Sequence, residues 1–404
     1  MHHVALESRP GIRAALRAIP ANVKVAGVVS FFTDLSSEMI VPVLPLFLSI
    51  TLGAPAAAIG VIEGIAESTA SVLRVFAGWL SDRAGRRKPL IVAGYSLSNL
   101  TKPLLALAGS WVHVLAVRFA DRFGKGIRGA PRDALIADSV PAERRGLAFG
   151  FHRSMDTVGA AVGPLVAFAT LALLPENYRA VFWIAAIPGA IAIAVAVFFL
   201  RDIARPPAPG QAPRLGFAGL GRRFTVFTLI ATLFALGNSS DAFLILRTKN
   251  LGLPAPAIPL AYFAFNVVYA GLATPFGALS DRVGRRWLLI GGYAVFALVY
   301  LGFALAAGPA GRLEAVGLFL VYGAYYALTE GVQRALVVDL VPSSLRATAL
   351  GTFSTATGLA LLPASLIAGV LWDRVSPAAP FFYGAALAAA AALLLAVTLP
   401  RSRA

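Results

Sequence analysis

The chain of 404 residues is 58% hydrophobic and 13% charged, and it contains no cysteine. Soluble domains carry about 25% charged residues, so this composition excludes a soluble globular protein and indicates a membrane protein. Without cysteine there are no disulfides or thiolate metal sites, and the four histidines lack metal-ligand spacing, so no metal and no cofactor is expected.

Twelve apolar segments, each of about 20 residues or more and long enough to cross a bilayer, divide the chain. The chain has 35 Lys and Arg, and most of those outside the segments lie on the side that carries both termini. The positive-inside rule makes that side cytoplasmic. The net charge of +16 therefore reports orientation, and no nucleic-acid partner is expected. We predict an all-α, multi-pass protein of the cytoplasmic (inner) membrane, with both termini cytoplasmic. The twelve predicted transmembrane helices are Val25–Thr51, Ala57–Leu80, Pro89–Ala108, Trp111–Ile136, Gly146–Leu173, Ala180–Leu200, Phe224–Leu246, Ala255–Gly277, Trp287–Ala307, Leu313–Val338, Leu345–Leu371 and Ala378–Leu399.

Carboxylates interrupt the first two spans. In the first span Asp34 and Glu38 are one helical turn apart and share a face. In the second span Glu63, Glu67 and Arg74 form a narrow stripe. Charged groups that face lipid are costly, so two interpretations stay open: a buried structural ion-pair network, or direct contact with a substrate or a proton.

The fourth span carries the densest charge. Its charged residues fall within an arc of roughly 140° at helical periodicity, and each would cost about 2.5–3.5 kcal/mol at a bilayer centre. They are tolerable there only if they face a wet cavity or one another. A Gly-x-Gly-x-x-Gly pattern in this span follows no strand, so it indicates close approach of a neighbouring helix or of a substrate and not a dinucleotide site. The charged residues are Arg118, Asp121, Arg122, Lys125, Arg128, Arg132 and Asp133.

An internal repeat divides the chain into halves. Gly78–Pro89 (GWLSDRAGRRKP) recurs as Gly277–Leu288 (GALSDRVGRRWL), with eight of the first ten positions identical. Ala134–Gly150 is similarly echoed by Ala335–Gly351. We predict two pseudo-symmetric six-helix bundles, residues 1–200 and 224–404, joined by a cytoplasmic linker, residues 201–223.

The two repeated loops, each between the second and third spans of its half, resemble the signature loop of the major facilitator superfamily. The resemblance covers essentially the whole chain and implies the fold of that family of secondary transporters. In the fifth span, Gly150–Pro164 resembles part of the family's antiporter motif, although Ala167 and Phe168 stand where that motif has two further glycines. The same small residues would also serve plain helix packing.

The resemblance implies that the signature loops gate the cytoplasmic side. Asp82 is expected against the start of the eleventh span near Ser343 and Ser344, and Asp281 near Pro141–Glu143. A carboxylate is favoured at a helix N-terminus, where free N–H groups and the helix dipole meet it. The expected gating residues are Gly78, Asp82, Arg83, Gly85, Arg86, Asp138, Gly277, Asp281, Arg282, Gly284, Arg285 and Asp339.

A transporter of this kind moves a small molecule by alternating access and is not an enzyme; neither an HExxH nor a G-x-S-x-G motif occurs in the sequence. We expect a monomer in the lipid bilayer that performs proton-coupled efflux, with proton-coupled uptake of an anionic metabolite as the alternative. A tyrosine face on the tenth span favours an amphipathic solute with at least one charged group, although such an aromatic face would also serve plain helix packing. The expected proton-coupling residues are Asp34, Glu38, Glu63 and Glu67, and the expected substrate-binding residues are Arg118, Asp121, Arg122, Lys125, Tyr322 and Tyr326.

Overall fold

The computed structural model describes residues 19–141, 144–203, 216–308, 310–342 and 345–398, except the side chains of Asp82, Ala84 and Ala347. Within these residues the chain is all-helical and forms twelve membrane-length helices, as predicted. They are α1 (Ala21–Thr51), α2 (Ala56–Ala84), α3 (Lys88–Leu107), α4 (Trp111–Asp138), α5 (Arg145–Leu173), α6 (Tyr178–Phe199), α7 (Arg222–Asn250), α8 (Ala257–Val283), α9 (Arg285–Leu305), α10 (Gly311–Asp339), α11 (Arg346–Arg374) and α12 (Ala379–Thr398).

Eleven of these helices are apolar enough to span a membrane by composition alone. The twelfth, α4, is long enough but too rich in charge. It can lie in the bilayer because the neighbouring helices enclose its charged face. The high charge of α4 is thus compatible with the bilayer, because its charged face lies inside the bundle and away from lipid.

Three helices change their winding. The α-helix at the start of α1 ends at Ile40 and resumes at Leu44, on either side of Pro42, which has no N–H to donate. In α3 the last turns, Lys102–Leu107, are 3₁₀-helical and contain Pro103. In α7 one helix ends at Gly237 and the next begins at Ala242, a break that the sequence did not predict.

The helices pack as two bundles. In the N-terminal half α1 packs on α5 and α6, while α4 packs on α2 and α3; in the C-terminal half α8 and α9 pack on α10, and α12 packs on α9 and α7. Three helix pairs join the halves: α2 with α11, α5 with α8, and α1 with α7. This arrangement confirms the prediction of two six-helix bundles.

The two halves separate toward one end of the molecule. We call the end that carries Gly78–Pro89 and Gly277–Leu288 the loop end. Away from it, α2 and α11 touch backbone to backbone: a Cβ on Gly60 would lie 2.1 Å from the carbonyl oxygen of Ser365, and one on Gly369 would lie 2.5 Å from the Cα of Ala57. Between Ser71 and the loop end a cavity lies between the same two helices. The molecule is closed at the far end and open at the loop end.

An apolar plug completes the closed end. Leu44 and Phe47 of α1 and Phe243 and Leu244 of α7 belong to one continuous buried core that includes both halves. All four side chains are at most 1% exposed. Water therefore has access to the centre from the loop end.

Candidate functional site

A central cavity of about 310 Å³ lies between the two bundles. Its walls come from α1, α2, α3 and α4 on one side and from α7, α8, α10 and α11 on the other. A second cavity of about 630 Å³, the vestibule, shares four lining residues with it and extends toward the loop end. The shared residues are Asp34, Lys125, Arg128 and Tyr326. At the vestibule, the side chains of Arg153 and Arg334 are 62% and 59% exposed, so this route is open to solvent.

Arg118 forms the most enclosed ion pair of the cavity. Its Nη2 donates to both carboxylate oxygens of Glu63 at 2.9 Å, and its Nη1 lies 3.4 Å from Oδ2 of Asp121. The Arg118 side chain is 7% exposed and that of Glu63 is 11% exposed. The stripe on α2 and the stripe on α4 therefore neutralise each other, which is how two charged helices can lie side by side in the membrane.

Arg122 repeats the pattern one turn along α4. Its Nη2 lies 3.1 Å from Glu67 of α2, and its Nε lies 3.8 Å from Asp121. Ser98 of α3 donates a short hydrogen bond to Asp121. Asp121 thus links both arginines to α3, and the three helices form one ionic network.

Glycines bring α3 and α2 close to this charged helix. A Cβ on Gly124 would lie 2.6 Å from the carbonyl oxygen of Gly94, and one on Gly126 would lie 2.7 Å from the Cβ of Leu73. Larger residues would push α4 away from its partners. The glycine pattern of the fourth span therefore serves close helix approach, as the sequence indicated.

Lys102 of α3 is enclosed by neutral acceptors. The side chain is 3% exposed, and in the described part of the chain it forms no ion pair. Its Nζ donates to oxygens of Thr33 (3.3 Å), Ser36 (3.2 Å), Ser37 (2.9 Å) and Asn99 (2.7 Å). These contacts hold α3 against α1 at the edge of the cavity. In the sequence Lys102 is one of several intramembrane cations, and no pattern assigns it a role, because an isolated lysine in a span gives no stripe.

Several charged groups of the cavity have no opposite charge bound to them. Among the described residues, Asp34 and Glu38 of α1 form no ion pair, and neither does Lys125 of α4. Oε2 of Glu38 has no hydrogen-bond partner in the same set. Arg128 stacks over the ring of Tyr95, with Cζ 4.3 Å from the ring centroid. These groups face the same space that the vestibule reaches.

The opposite wall carries one carboxylate, Asp241, at the break in α7. Its Oδ1 accepts a hydrogen bond from the hydroxyl of Tyr322 at 2.8 Å, and its Oδ2 accepts one from the hydroxyl of Tyr326 at 3.3 Å. Tyr322 is 1% exposed and lies behind the wall, so it orients Asp241 and does not line the cavity. The sequence offered a weak signal for Asp241, the echo of Ser36-Ser37-Glu38 in Ser239-Ser240-Asp241.

The structure brings together nearly all the residues expected to couple protons or bind substrate. Nine line the central cavity, and Tyr322 contacts it through Asp241. The nine are Asp34, Glu38, Glu63, Glu67, Arg118, Asp121, Arg122, Lys125 and Tyr326.

At the loop end an ion pair within each half joins its signature loop to a neighbouring helix. In the N-terminal half Arg87 pairs with Asp138 at 2.9 Å, and the neighbouring Arg86 is exposed. In the C-terminal half Arg285 pairs with Asp339 at 2.6 Å, and it lies 3.6 Å from Asp281. These ion pairs join residues of the same half, in keeping with separation of the halves at this end.

The other expected gating residues have local roles. Gly85 and Gly284 adopt positive φ, 63° and 97°, which lets the chain turn after α2 and α8. Arg83 lies over the ring of Trp79, and Arg282 is exposed. Gly78 packs on Ala130 of α4, while Gly277 faces open space.

Two expected gate contacts involve residues outside the described part of the chain. The side chain of Asp82 and residues Ser343 and Ser344 lie outside the described residues, so their expected contact stays a prediction. The same holds for the approach of Asp281 to Glu143, because Glu143 is also outside them.

Two glycines of the fifth-span motif pack α5 onto α1. A Cβ on Gly159 would lie 2.4 Å from the carbonyl oxygen of Phe31, and one on Gly163 would lie 2.8 Å from the Cβ of Glu38. Gly150, by contrast, has open space around it. The motif therefore fixes the helix that carries Asp34 and Glu38.

The sequence pattern of the Major Facilitator Superfamily matches residues 26–246 and 217–404. The chain belongs to this superfamily. It is 39% identical over 385 residues to an uncharacterized MFS-type transporter of Methanocaldococcus jannaschii, an alignment that covers 94% of this chain and 95% of the relative. The superfamily and this relative identify the chain as a secondary transporter and not an enzyme.

More distant superfamily members have more specific names. A probable 4-methylmuconolactone transporter of Cupriavidus pinatubonensis is 26% identical, with 75% of this chain and 72% of the relative covered. The multidrug resistance protein MdtL of Escherichia coli is 25% identical, with 71% of each covered. The crystal structure of a POT family transporter in complex with 5-aminolevulinic acid superimposes with a TM-score of 0.79 at 13% identity, covering 95% of this chain and 98% of that one. At that identity the match shows the shared fold alone.

Proposed function

We propose that this protein exports a small organic solute with an acidic group across the cytoplasmic membrane, in exchange for protons. It works as a monomer, with the loop end and both termini in the cytoplasm. The described conformation is then the one that receives solute from inside the cell. The relationship to a multidrug resistance protein supports export.

The proposed proton coupling rests on the surroundings of the Asp34 and Glu38 carboxylates. Both carboxylates line the open cavity, and neither forms an ion pair among the described residues. They can gain or lose a proton without breaking a salt bridge. Glu63 and Glu67, in contrast, are bound to Arg118 and Arg122. We assign the exchangeable proton to Asp34 and Glu38, and the holding of the two arginines to Glu63 and Glu67.

The vestibule and Lys125 support an acidic solute. The vestibule is lined by Arg74, Arg132, Arg153 and Arg334 in addition to the shared residues, and its cations outnumber its carboxylates. A cleft lined mainly by one sign of charge concentrates ions of the opposite sign. At its inner end Lys125 binds no carboxylate of the described residues, so it can take the acidic group. The cavity of about 310 Å³ suits a small metabolite-sized compound.

The test begins with a ligand. Purified protein would be screened by thermal shift against organic acids, lactones such as 4-methylmuconolactone, chelators and drugs, at two pH values. The strongest hit would then be assayed in everted membrane vesicles. Export predicts that an acidic lumen drives the compound into the vesicles, and that the compound makes the lumen more alkaline. Flux that saturates but ignores the pH gradient would contradict the proton coupling.

Uptake by proton symport is the second candidate. Ala167 and Phe168 favour it, because they stand in place of the last glycines of the antiporter motif. In the same everted vesicles a symporter would move the compound out of the acidic lumen. The direction of movement therefore decides between the two candidates.

A further inference from the structure

Asp241 lies on the wall of the central cavity that faces α1 and α4, and the transport cycle proposed above gives it no task. It follows the break in α7, where residues 238–240 are not helical. Asn238, Ser239 and Ser240 line the same cavity. Transporters often bind solutes at discontinuous helices, because unwound backbone and its side chains face the cavity there.

The carboxylate of Asp241 is oriented but not neutralised. Tyr322 and Tyr326 donate hydroxyl hydrogen bonds to it, and in the described part of the chain no Lys, Arg or His forms an ion pair with it. A helix begins at Ala242, directly after Asp241, and the positive end of a helix favours a negative charge beside it. Asp241 therefore presents a negative charge that has no counter-ion among the residues that the structure describes.

Aromatic rings stand next to this charge. Tyr262 of α8 and Tyr326 of α10 both line the cavity, and each packs against Phe265 with ring centroids 5.3 Å apart. The face of an aromatic ring attracts a cation. A carboxylate beside two tyrosine rings is chemically suited to an ammonium group.

The opposite wall has the complementary charge. Arg118 and Arg122 are neutralised by Glu63 and Glu67, whereas Lys125 forms no ion pair among the described residues. The N-terminal wall of the small central cavity thus offers Lys125 as a cationic position, beside the carboxylates Asp34 and Glu38, and the C-terminal wall offers Asp241 as an anionic position.

We propose that Asp241, Tyr262 and Tyr326 form an ammonium subsite, and that the transported solute is a zwitterion whose acidic group faces Lys125. This rests on the proposed transport of a solute with an acidic group. Such a solute contacts both bundles at once. Its binding draws the two halves together, which is the step that alternating access needs.

Three probes of equal length separate the two charges: 5-aminopentanoate has both, pentanoate has the acid alone and 1-aminopentane has the amine alone. Binding to the purified full-length chain would be followed by thermal shift for the parent protein and for Asp241→Asn. Glu314→Gln is the matched control, because Glu314 is an exposed carboxylate on α10 away from the cavity.

The parent should bind 5-aminopentanoate about tenfold more tightly than pentanoate. Asp241→Asn should weaken the binding of both amines by about tenfold and change the binding of pentanoate by no more than about twofold. The control variant should match the parent. Unchanged amine binding in Asp241→Asn overturns the proposal, and so does a parent that none of the three probes stabilises.

Tyr262→Leu tests the same subsite without altering a carboxylate, in case Asp241→Asn does not fold. It should weaken 1-aminopentane binding, and parent-like binding by this variant overturns the subsite. None of these measurements needs a proton gradient. Their failure leaves gradient-driven export intact, whereas flux that ignores the gradient removes the proposed function and leaves the subsite standing.

Discussion

The carboxylate of Asp373, at the end of α11, accepts the backbone N–H of Ala56 at 3.0 Å, at the start of α2. Its second oxygen accepts the N–H of Ala57 at 2.8 Å. The first N–H groups of a helix have no partner inside that helix, and α2 has no side-chain cap of its own. A residue of the C-terminal half therefore caps a helix of the N-terminal half, at the closed end of the molecule.

Removing this cap should favour opening of the closed end. Loss of a helix cap costs about 0.5–2 kcal/mol, so Asp373→Ala should raise the population open at this end by about 2- to 30-fold. Spin labels on Leu174→Cys and Val375→Cys, which lie at this end in different halves, would report the distance between them. The parent chain contains no cysteine, so the labels are specific.

Glu176→Gln is the control for Asp373→Ala, because Glu176 is an exposed carboxylate at the same end. It should leave the distance distribution unchanged. An Asp373→Ala distribution that matches the parent would mean that the cap does not hold this end closed.

The pair of Arg118 and Glu63 should be costly to break from one side. Arg118→Ala leaves Glu63 charged and enclosed, and removing one partner of a buried pair costs about 3–5 kcal/mol. The double variant Arg118→Ala with Glu63→Ala should recover part of that loss, since no unpaired charge remains. Unfolding of the purified protein would measure both.

The exposed pair of Arg132 and Asp133 provides the comparison for this prediction, with Asp133 51% exposed. Asp133→Ala should cost less than about 1 kcal/mol, because solvent screens the charges. Equal losses for Arg118→Ala and Asp133→Ala would contradict the view that α2 and α4 depend on their ionic network.

Glu38→Gln should separate binding from proton coupling. A glutamine fits the same space but cannot exchange a proton, so gradient-driven transport should fall to background while the ligand still binds. Asp34→Asn should act in the same direction. Thermal shift would measure the binding, and vesicle assays with and without a pH gradient would measure the coupling.

Glu314→Gln again serves as the control and should transport like the parent. If Glu38→Gln and Asp34→Asn both keep gradient-driven transport, the exchangeable proton lies elsewhere. Glu63 and Glu67, already bound to arginine, would then be the next carboxylates to test.

The fifth-span motif contains its own matched pair of glycines. A methyl group on Gly159 would lie 2.4 Å from a backbone oxygen of α1, whereas Gly150 has open space around it. Gly159→Ala should therefore destabilise the protein by about 1–3 kcal/mol through overpacking. Gly150→Ala should be neutral or stabilise it by up to about 1 kcal/mol, since it restricts the unfolded chain. Equal stability of the two variants would argue against tight packing of α5 on α1.

Much of the fold follows from sequence because the underlying signals are periodic. Charge on one face of α4 predicted a polar interior, and the carboxylates of α2 supplied matching partners for Arg118 and Arg122. The repeated loops predicted two halves. Each of these signals is spread over many residues, so single substitutions do not hide it.

Roles that depend on a contact between two residues far apart in the chain could not be predicted from the sequence. Asp373 is a single carboxylate near a helix end, and its partners, the backbone groups of Ala56 and Ala57, have no sequence signature. Asp241 gains its place from a break in α7 that no proline marks. Tyr322 has the right helical face for the cavity, but its hydroxyl contacts Asp241 from behind.

In the proposed mechanism a water-filled cavity between the bundles reaches the polar residues from the loop end. The most direct test of this access is the reaction of Ser240→Cys with a charged, membrane-impermeant thiol reagent, added to either side of vesicles. Leu298→Cys is the control, because Leu298 is 66% exposed and lies on the outer face of α9. We predict that Ser240→Cys reacts when reagent is added at the loop end and that Leu298→Cys, facing lipid, does not. A Ser240→Cys variant as unreactive as the control from both sides would contradict the proposed mechanism.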